Sequence, residues 1–190
     1  MLLEPALATP RLLLRPFGEA DFEAFYSSCV CDPAVMAFYH AYRQIASDEE
    51  RRQRARRDFM DHFAQGLRTR DYICWALTAG PALPAPAGTF LGWCGILTPA
   101  LEEEAWGPEV AYMLARPWHG LGLATEAGAA VMADAWPRYG LSRLHAVVDG
   151  PNMASRRVLE RLGLALHGPV EVYGSADMLL YTASAPAPGA

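Results

Sequence analysis

Apolar residues recur at every second position in some stretches of this chain and at every third or fourth in others, and the switches between the two spacings mark its elements. Residues 11–15 alternate poorly but read as a buried strand, 21–29 predict a first helix, and 48–65 a second, with Phe59 and Phe63 one turn apart on its inner face. Residues 71–78 set Tyr72, Cys74 and Ala76 on one side and Ile73, Trp75 and Leu77 on the other, as in a strand covered on both faces. A proline-rich hairpin loop over 80–86 leads to a returning strand over 89–97, and 99–107 is a loop carrying Glu102, Glu103 and Glu104. A strand at 110–114, a helix over 124–136 stopped by Pro137, a strand over 144–148, a helix over 153–162 and two closing strands, near 165–172 and 178–182, complete the pattern. This order predicts an α/β (α+β) fold, a single mixed, mostly antiparallel sheet flanked by helices. One domain is expected over residues 1–183, with 184–190 a flexible tail.

The stretch with the most chemistry runs from Glu109 to Ala127. After the apolar strand and the turn at Arg116 and Pro117, Gly120 and Gly122 open an alanine-rich helix. Glycine lets the backbone approach a ligand and take positive φ. The helix end offers unpaired N–H groups and a positive dipole, which suit a phosphate or pyrophosphate. The same glycines also fit an ordinary strand-to-helix turn. A Walker loop requires lysine, and this chain has none; all sixteen basic residues are arginine. A dinucleotide fingerprint requires a third glycine where Thr125 stands.

The register that fits is His119-x-x-Gly122-x-Ala124, followed by Glu126 and Ala127. It resembles the acyl-CoA pyrophosphate loop of the GCN5-related N-acetyltransferases (GNAT), in which Gln or Arg usually holds the place of His119. A second block, Asn152-x-x-Ser155 and a helix closing at Leu162-Gly163-Leu164, is similar to that of the superfamily branch acetylating ribosomal-protein N-termini (Rim-type), with Leu164 in place of Phe. The opening Thr9-Pro-Arg11-Leu-Leu-Leu-Arg15 resembles the first strand of that branch. Together the resemblance spans roughly residues 9–182.

Several expectations follow from the resemblance. The cosubstrate is acetyl-CoA. Its pantetheine arm pairs with backbone groups of Met113, Leu114 and Ala115, and its pyrophosphate lies in the loop of His119, Gly120, Leu121, Gly122, Leu123, Ala124 and Thr125. Asn152, which also reads as a helix N-cap, contacts the arm. Glu109 takes the proton from the incoming amine, since an ammonium cannot attack a thioester. Ser155 protonates the departing thiolate, in the place of a tyrosine that many relatives carry on this helix; none lies between Tyr139 and Tyr173. The plain alternatives are a solvated strand-end glutamate for Glu109 and a cap or packing role for Ser155.

Composition narrows the rest. At 190 residues with 52% hydrophobic and 19% charged positions, the chain is expected to be globular and cytoplasmic, with no secretory leader and no membrane span. A net charge of −5 argues against nucleic acid as a direct partner. The cluster Arg51, Arg52, Arg54, Arg56 and Arg57 reads as a salt-bridged helix, with an RNA contact as the alternative. Cys29, Cys31, Cys74 and Cys94 lack metal spacing and are expected as free thiols, and no metal site is expected from the five histidines. His145 reads as a core residue, and Trp93, Trp106, Tyr112 and Trp118 as anchors around the site. The acceptor is expected to be an amine, a protein N-terminus or a small molecule, and a homodimer is one candidate assembly. A non-catalytic CoA-binding module and a nucleotide-binding protein are the competing functions.

Overall fold

A computed structural model describes residues 7–42, 45–60, 73–98 and 105–187. Leu7–Ala8 (β1) pairs with Leu12–Pro16 (β2), where Leu12 and Leu14 point into the core and Leu13 out of it. A helical stretch follows, comprising a tight turn at Glu19–Asp21, Phe22–Phe25 (α1) and a wider π-type turn at Tyr26–Val30. Asp48–Asp58 (α2) starts at Ser47, whose side chain accepts a hydrogen bond from the Glu50 N–H at 3.2 Å. Its three first-turn carboxylates and last-turn arginines complement the helix dipole. Phe59 continues the turn, whereas Phe63, the end expected at residue 65, Tyr72 and the loop residues Glu102, Glu103 and Glu104 lie outside the described residues.

Four of the five arginines of α2 are engaged within the chain. Arg51 pairs with Asp48, Arg52 with Glu23 and Arg54 with Asp58, while Arg52 and Arg56 lie over the Phe22 ring at 5.3 and 4.7 Å. Such stacking uses the planar guanidinium as a lid on an aromatic cluster.

Cys74–Ala79 (β3), Phe90–Leu97 (β4), Glu109–Leu114 (β5), Arg143–Asp149 (β6), Ala165–Val172 (β7) and Ser175–Ser184 (β8) complete a sheet of order β1-β2-β3-β4-β5-β6-β8-β7. Every residue of β3 is buried, as its two-sided apolar pattern requires. All neighbours are antiparallel except β5 and β6, which run parallel and meet at one rung, Glu109 opposite His145. Beyond that rung the two strands separate.

Leu123–Tyr139 (α3) connects β5 to β6 and Met153–Arg161 (α4) connects β6 to β7. Both cover one face, over a core that includes Leu12, Trp75, Leu77, Ile96, Leu123 and Leu144. The opposite face packs Phe17, Phe22, Phe25, Phe59 and Trp93 beneath α1 and α2.

Two boundaries differ from the sequence expectation. The helix α3 runs through Pro137 to Tyr139 and is ended by Gly140 in the left-handed region. The proline falls within the last turn, where one lost backbone bond is tolerated, and the N–H groups of Gly140 and Leu141 both return to the Trp136 carbonyl. The last strand begins at Ser175 and reaches Ser184, and the Ala185 N–H donates to the Ser142 carbonyl at 3.0 Å, so the tail is tied down further than its composition suggested.

Candidate active site

The separation of β5 from β6 decides which backbone groups are open. The Ala115 N–H donates to the Leu91 carbonyl of the neighbouring β4 edge at 2.8 Å, and the His145 N–H donates to Pro108 at 2.9 Å. Alternation along β5 therefore turns the N–H and C=O of Tyr112 and Leu114 toward the gap, and those of Met113 and Ala115 toward β4. Of the three residues expected to pair with a pantetheine arm, Leu114 faces the gap, while the amide of Ala115 is committed to the sheet. Tyr112 takes the second open position, which strand parity alone would have given once the register was known.

The strand leads into a one-turn helix, Arg116–Trp118, with Pro117 in its first turn. The His119 Nε2–H then donates to the Leu114 carbonyl at 2.7 Å, folding the loop back on the strand end. Gly120 and Gly122 have φ of 75° and 76°. A Cβ at Gly120 would meet nothing within 4 Å, so open space lies beside the loop. Gly122 is the N-cap of α3, and Glu126 is the first residue whose N–H reaches back into the helix, to Gly122 at 3.1 Å. Helix geometry leaves the N–H groups of Leu123, Ala124 and Thr125 aimed outward. The Thr125 hydroxyl oxygen is buried and has no hydrogen-bond partner among the described residues. An orphaned hydroxyl beside three unpaired amides fits a pyrophosphate.

Arg11 frames this loop and was read from sequence only as part of a strand motif. Its Nη1 donates to the Leu121 carbonyl at 2.8 Å and its Nε to Glu126 Oε2 at 2.6 Å; Glu126 Oε1 also accepts from the Thr9 hydroxyl at 2.5 Å and the Arg11 N–H at 3.0 Å. Burial pushes the Glu126 carboxyl up, but the hydrogen bonds from Thr9 and Arg11 outweigh it and hold its pKa below the usual value. The first strand is thus clamped to the first turn of α3, with a guanidinium beside the glycines.

Across the gap, Asn152 caps α4, its side-chain oxygen accepting from the Ser155 N–H at 3.1 Å. Ser155 Oγ lies 2.9 Å from the Tyr112 hydroxyl, which also donates to the Ser155 carbonyl at 3.1 Å. A tyrosine does accompany Ser155, supplied by β5 instead of the helix. Burial raises the pKa of the Tyr112 phenol, partly offset by its bond to Ser155, so it carries its proton at neutral pH.

Glu109 is buried on the opposite face of β5, together with Met113, and accepts a hydrogen bond from the Tyr173 hydroxyl at 3.1 Å. Tyr173 occupies the β7–β8 turn with φ of 54°, the one non-glycine positive φ among the described residues, followed by Gly174 at 69°. Consecutive positive φ values are those of a type I′ hairpin turn, a place where Asn or Gly is usual. Register breaks at residues 166–168 and 170–172 interrupt the ladder of this hairpin.

The remaining residue expectations resolve simply. His145 is fully buried, its Nδ1–H donating to Gly107 at 2.7 Å and its ring edge-on to Trp106 at 5.5 Å. The four cysteines are free, and burial pushes the Cys29 and Cys94 thiols up to about 12, far from a thiolate nucleophile. Among the described residues there is no cluster of His, Cys, Asp and Glu fit for a metal and no helix long and apolar enough to cross a membrane.

A parallel pair parted in mid-sheet, with a glycine loop and helix N-terminus at the end of one strand, defines an acyltransferase architecture. The comparisons agree: the family model of the acetyltransferase (GNAT) domain matches residues 11–165, and the chain belongs to that family. It is therefore an acetyltransferase, of a family that uses acetyl-CoA. It is 27% identical over 158 residues to the uncharacterized protein YkkB of Bacillus subtilis (strain 168), covering 83% of this chain and 84% of that protein. Its fold matches the crystal structure of the acetyltransferase from Agrobacterium tumefaciens strain C58, with a TM-score of 0.75 at 23% identity over 96% and 95% of the two chains. It also matches RimL, a ribosomal L7/L12 alpha-N-protein acetyltransferase solved with coenzyme A, with a TM-score of 0.67 at 17% identity over 95% and 98%.

Proposed function

We propose that this chain transfers the acetyl group of acetyl-CoA directly to a primary amine, the N-terminal α-amine of a polypeptide being the acceptor class. The observation that carries this reading is the pair of left-handed glycines opening α3 at the end of a strand whose outer edge is unpaired. Amides of Gly120, Leu121, Gly122, Leu123, Ala124 and Thr125 hold the pyrophosphate, and Arg11 adds positive charge beside them. The backbone groups of Tyr112 and the Leu114 N–H hold the pantetheine arm and polarise the thioester carbonyl. Acetyl-CoA supplies an acyl carbon already activated as a thioester.

Glu109 takes one proton from the ammonium, directly or through water, freeing the nitrogen lone pair. The N–C bond forms as the C–S bond breaks; the leaving sulfur receives a proton from the Tyr112–Ser155 hydroxyl pair, and the second proton shed by the nitrogen passes through solvent, which reprotonates that pair. The buried thiols with raised pKa support direct transfer over an acyl-cysteine route.

Acetyl-CoA at about a hundred times its Kd is expected to stabilise the protein by roughly 2.7 kcal/mol, with no effect from ATP or NAD. Gly122→Asp, which places a charged side chain at the loop, abolishes that gain; an undiminished thermal shift in this variant rules the loop out. At pH 7 roughly a tenth of an α-amine is neutral, against well under a thousandth of a lysine side chain. Peptides with a free N-terminus are therefore acetylated faster than N-blocked lysine peptides, and the reverse order refutes the α-amine assignment.

A further inference from the structure

An ammonium that becomes an amide sheds two protons, and Glu109 is proposed to take one of them. The face of the sheet that bears Glu109 holds a second group able to take a proton. Glu109 of β5 stands opposite His145 of β6, and residues opposite one another in a parallel pair share a face, as do those two and four places on. Met113 and Asp149, each four residues further, therefore lie on the Glu109 face, level with each other on the two sides of the gap. Met113 stands between Tyr112 and Leu114, whose backbone is proposed to receive the thioester. Asp149 thus lies across the gap from the place where the amine attacks.

Asp149 is the last residue of β6. It is buried, paired in register with Met178 of β8, and its carbonyl accepts the Asn152 N–H at 2.8 Å, so its backbone is fixed. A short segment of two one-turn helices, Met36–Phe38 and His40–Tyr42, meets it there, and the His40 Nε2–H donates to Asp149 Oδ2 at 2.7 Å. The Tyr42 hydroxyl, donating to Asp58 Oδ2 at 2.8 Å, fastens the far end of the segment to α2. An ionised carboxylate can only accept, so its bond to Nε2 leaves the lone pair of the neutral ring on Nδ1. The His40 side chain is 22% exposed, enough to exchange a proton with water. Imidazole is the side chain that both takes up and gives back a proton near neutral pH. A pin for the segment needs only a donor, which an amide supplies without being a base.

We infer that His40, held in one tautomer by Asp149, receives the second proton of the acceptor nitrogen and passes it to solvent. As the N–C bond forms, the nitrogen becomes positive and carries one proton more than the amide keeps. That N–H bond breaks, its electron pair remaining on nitrogen, and the proton bonds to the Nδ1 lone pair. Nε2–H stays on Asp149, and the imidazolium gives the Nδ1 proton to water, with no other reactant. The inference rests on the acetyl-transfer reading and adds to it a group on the side of the gap away from Glu109.

In His40→Gln, whose amide still donates to Asp149 without being a base, kcat/KM for the amine is expected to fall roughly tenfold or more, with KM for acetyl-CoA and Tm unchanged. Imidazole added to His40→Ala is expected to restore part of the lost kcat. Equal kcat/KM in wild type and His40→Gln, or a loss in His40→Ala that imidazole leaves untouched, makes the histidine a pin for the segment and overturns the inference. Nitrogen NMR of the ligand-free protein needs no turnover: the neutral His40 ring is expected to carry its proton on Nε2, and a proton on Nδ1 overturns the inference by itself. Asp149→Asn is expected to shift the ring toward the Nδ1–H form and to lower kcat while KM for acetyl-CoA holds; an unchanged tautomer overturns the part given to Asp149. Wild-type turnover with an unaffected His40→Gln refutes the inference alone, whereas a wild type that acetylates no amine refutes the acetyl-transfer reading and the inference with it.

Discussion

Glu109 is buried at the sheet interior and accepts a hydrogen bond from the Tyr173 hydroxyl, which sits in a turn conformation that tyrosine adopts at a cost. A hairpin turn that needed only to close would carry Asn at that position. Glu109→Gln is expected to lower kcat/KM by roughly 10²-fold or more, since general-base losses run to 10²–10⁴. The affinity for acetyl-CoA stays constant, because the lost group acts on the amine. The defect shrinks as pH rises toward the acceptor's own pKa, near 8 for an α-amine, where free amine no longer needs the base. Equal rates for both proteins from pH 6 to 9 would exclude the role. Glu109, Asn152 and Ser155 could be picked out in the sequence as candidates because spacing along one strand and one helix marks their positions; their roles are proposals. Tyr112, Tyr173 and Arg11 were not, since each meets its partner across 43, 64 or 115 residues of chain, and no local pattern encodes such a meeting.

The loop and α3 behave as one element only because β2 is fastened to them. Glu126 lies in the first turn, where its charge suits the helix dipole, and accepts bonds from Thr9 and Arg11. Since Arg11 is about one-third exposed, solvent weakens the pair, and Glu126→Gln is expected to cost about 1–2 kcal/mol, roughly 2–6 °C in Tm. Its folded pKa is depressed, so the contribution is complete above the unfolded value near 4.3 and disappears as pH falls through the folded value. The Tm difference between wild type and Glu126→Gln should be constant from pH 5 to 8 and close below pH about 4; a difference unchanged at pH 3 would mean that shape, not charge, holds the clamp. Glycine spacing made the loop readable from sequence. The end of α3 was misjudged at Pro137 because proline forbids a helix interior more strongly than a final turn, and only Gly140 marks the true stop.

At the scale of the molecule, the order of strands and helices was legible because nearly every element carries its own periodicity, including the fully buried β3. The single rung between β5 and β6 was beyond such reading, since two strands with clear apolar patterns give no sign of whether they stay side by side. Its consequence is thermodynamic coupling between the two substrates. Strands β1–β5 and β6–β8 share one rung, and a donor seated against Tyr112 and Leu114, as proposed, would also hold the strand that carries Glu109. On the proposed function, occupancy of the donor site would pre-organise the acceptor site, and linkage would require the acceptor to tighten the donor by the same factor. Amide hydrogen exchange at Tyr112 and Leu114 should slow on adding CoA, and the acceptor's Kd should fall when CoA is present. A Kd indifferent to CoA would show the two halves of the sheet to be rigid without their guest, and initial-rate kinetics would then report random addition instead of donor first.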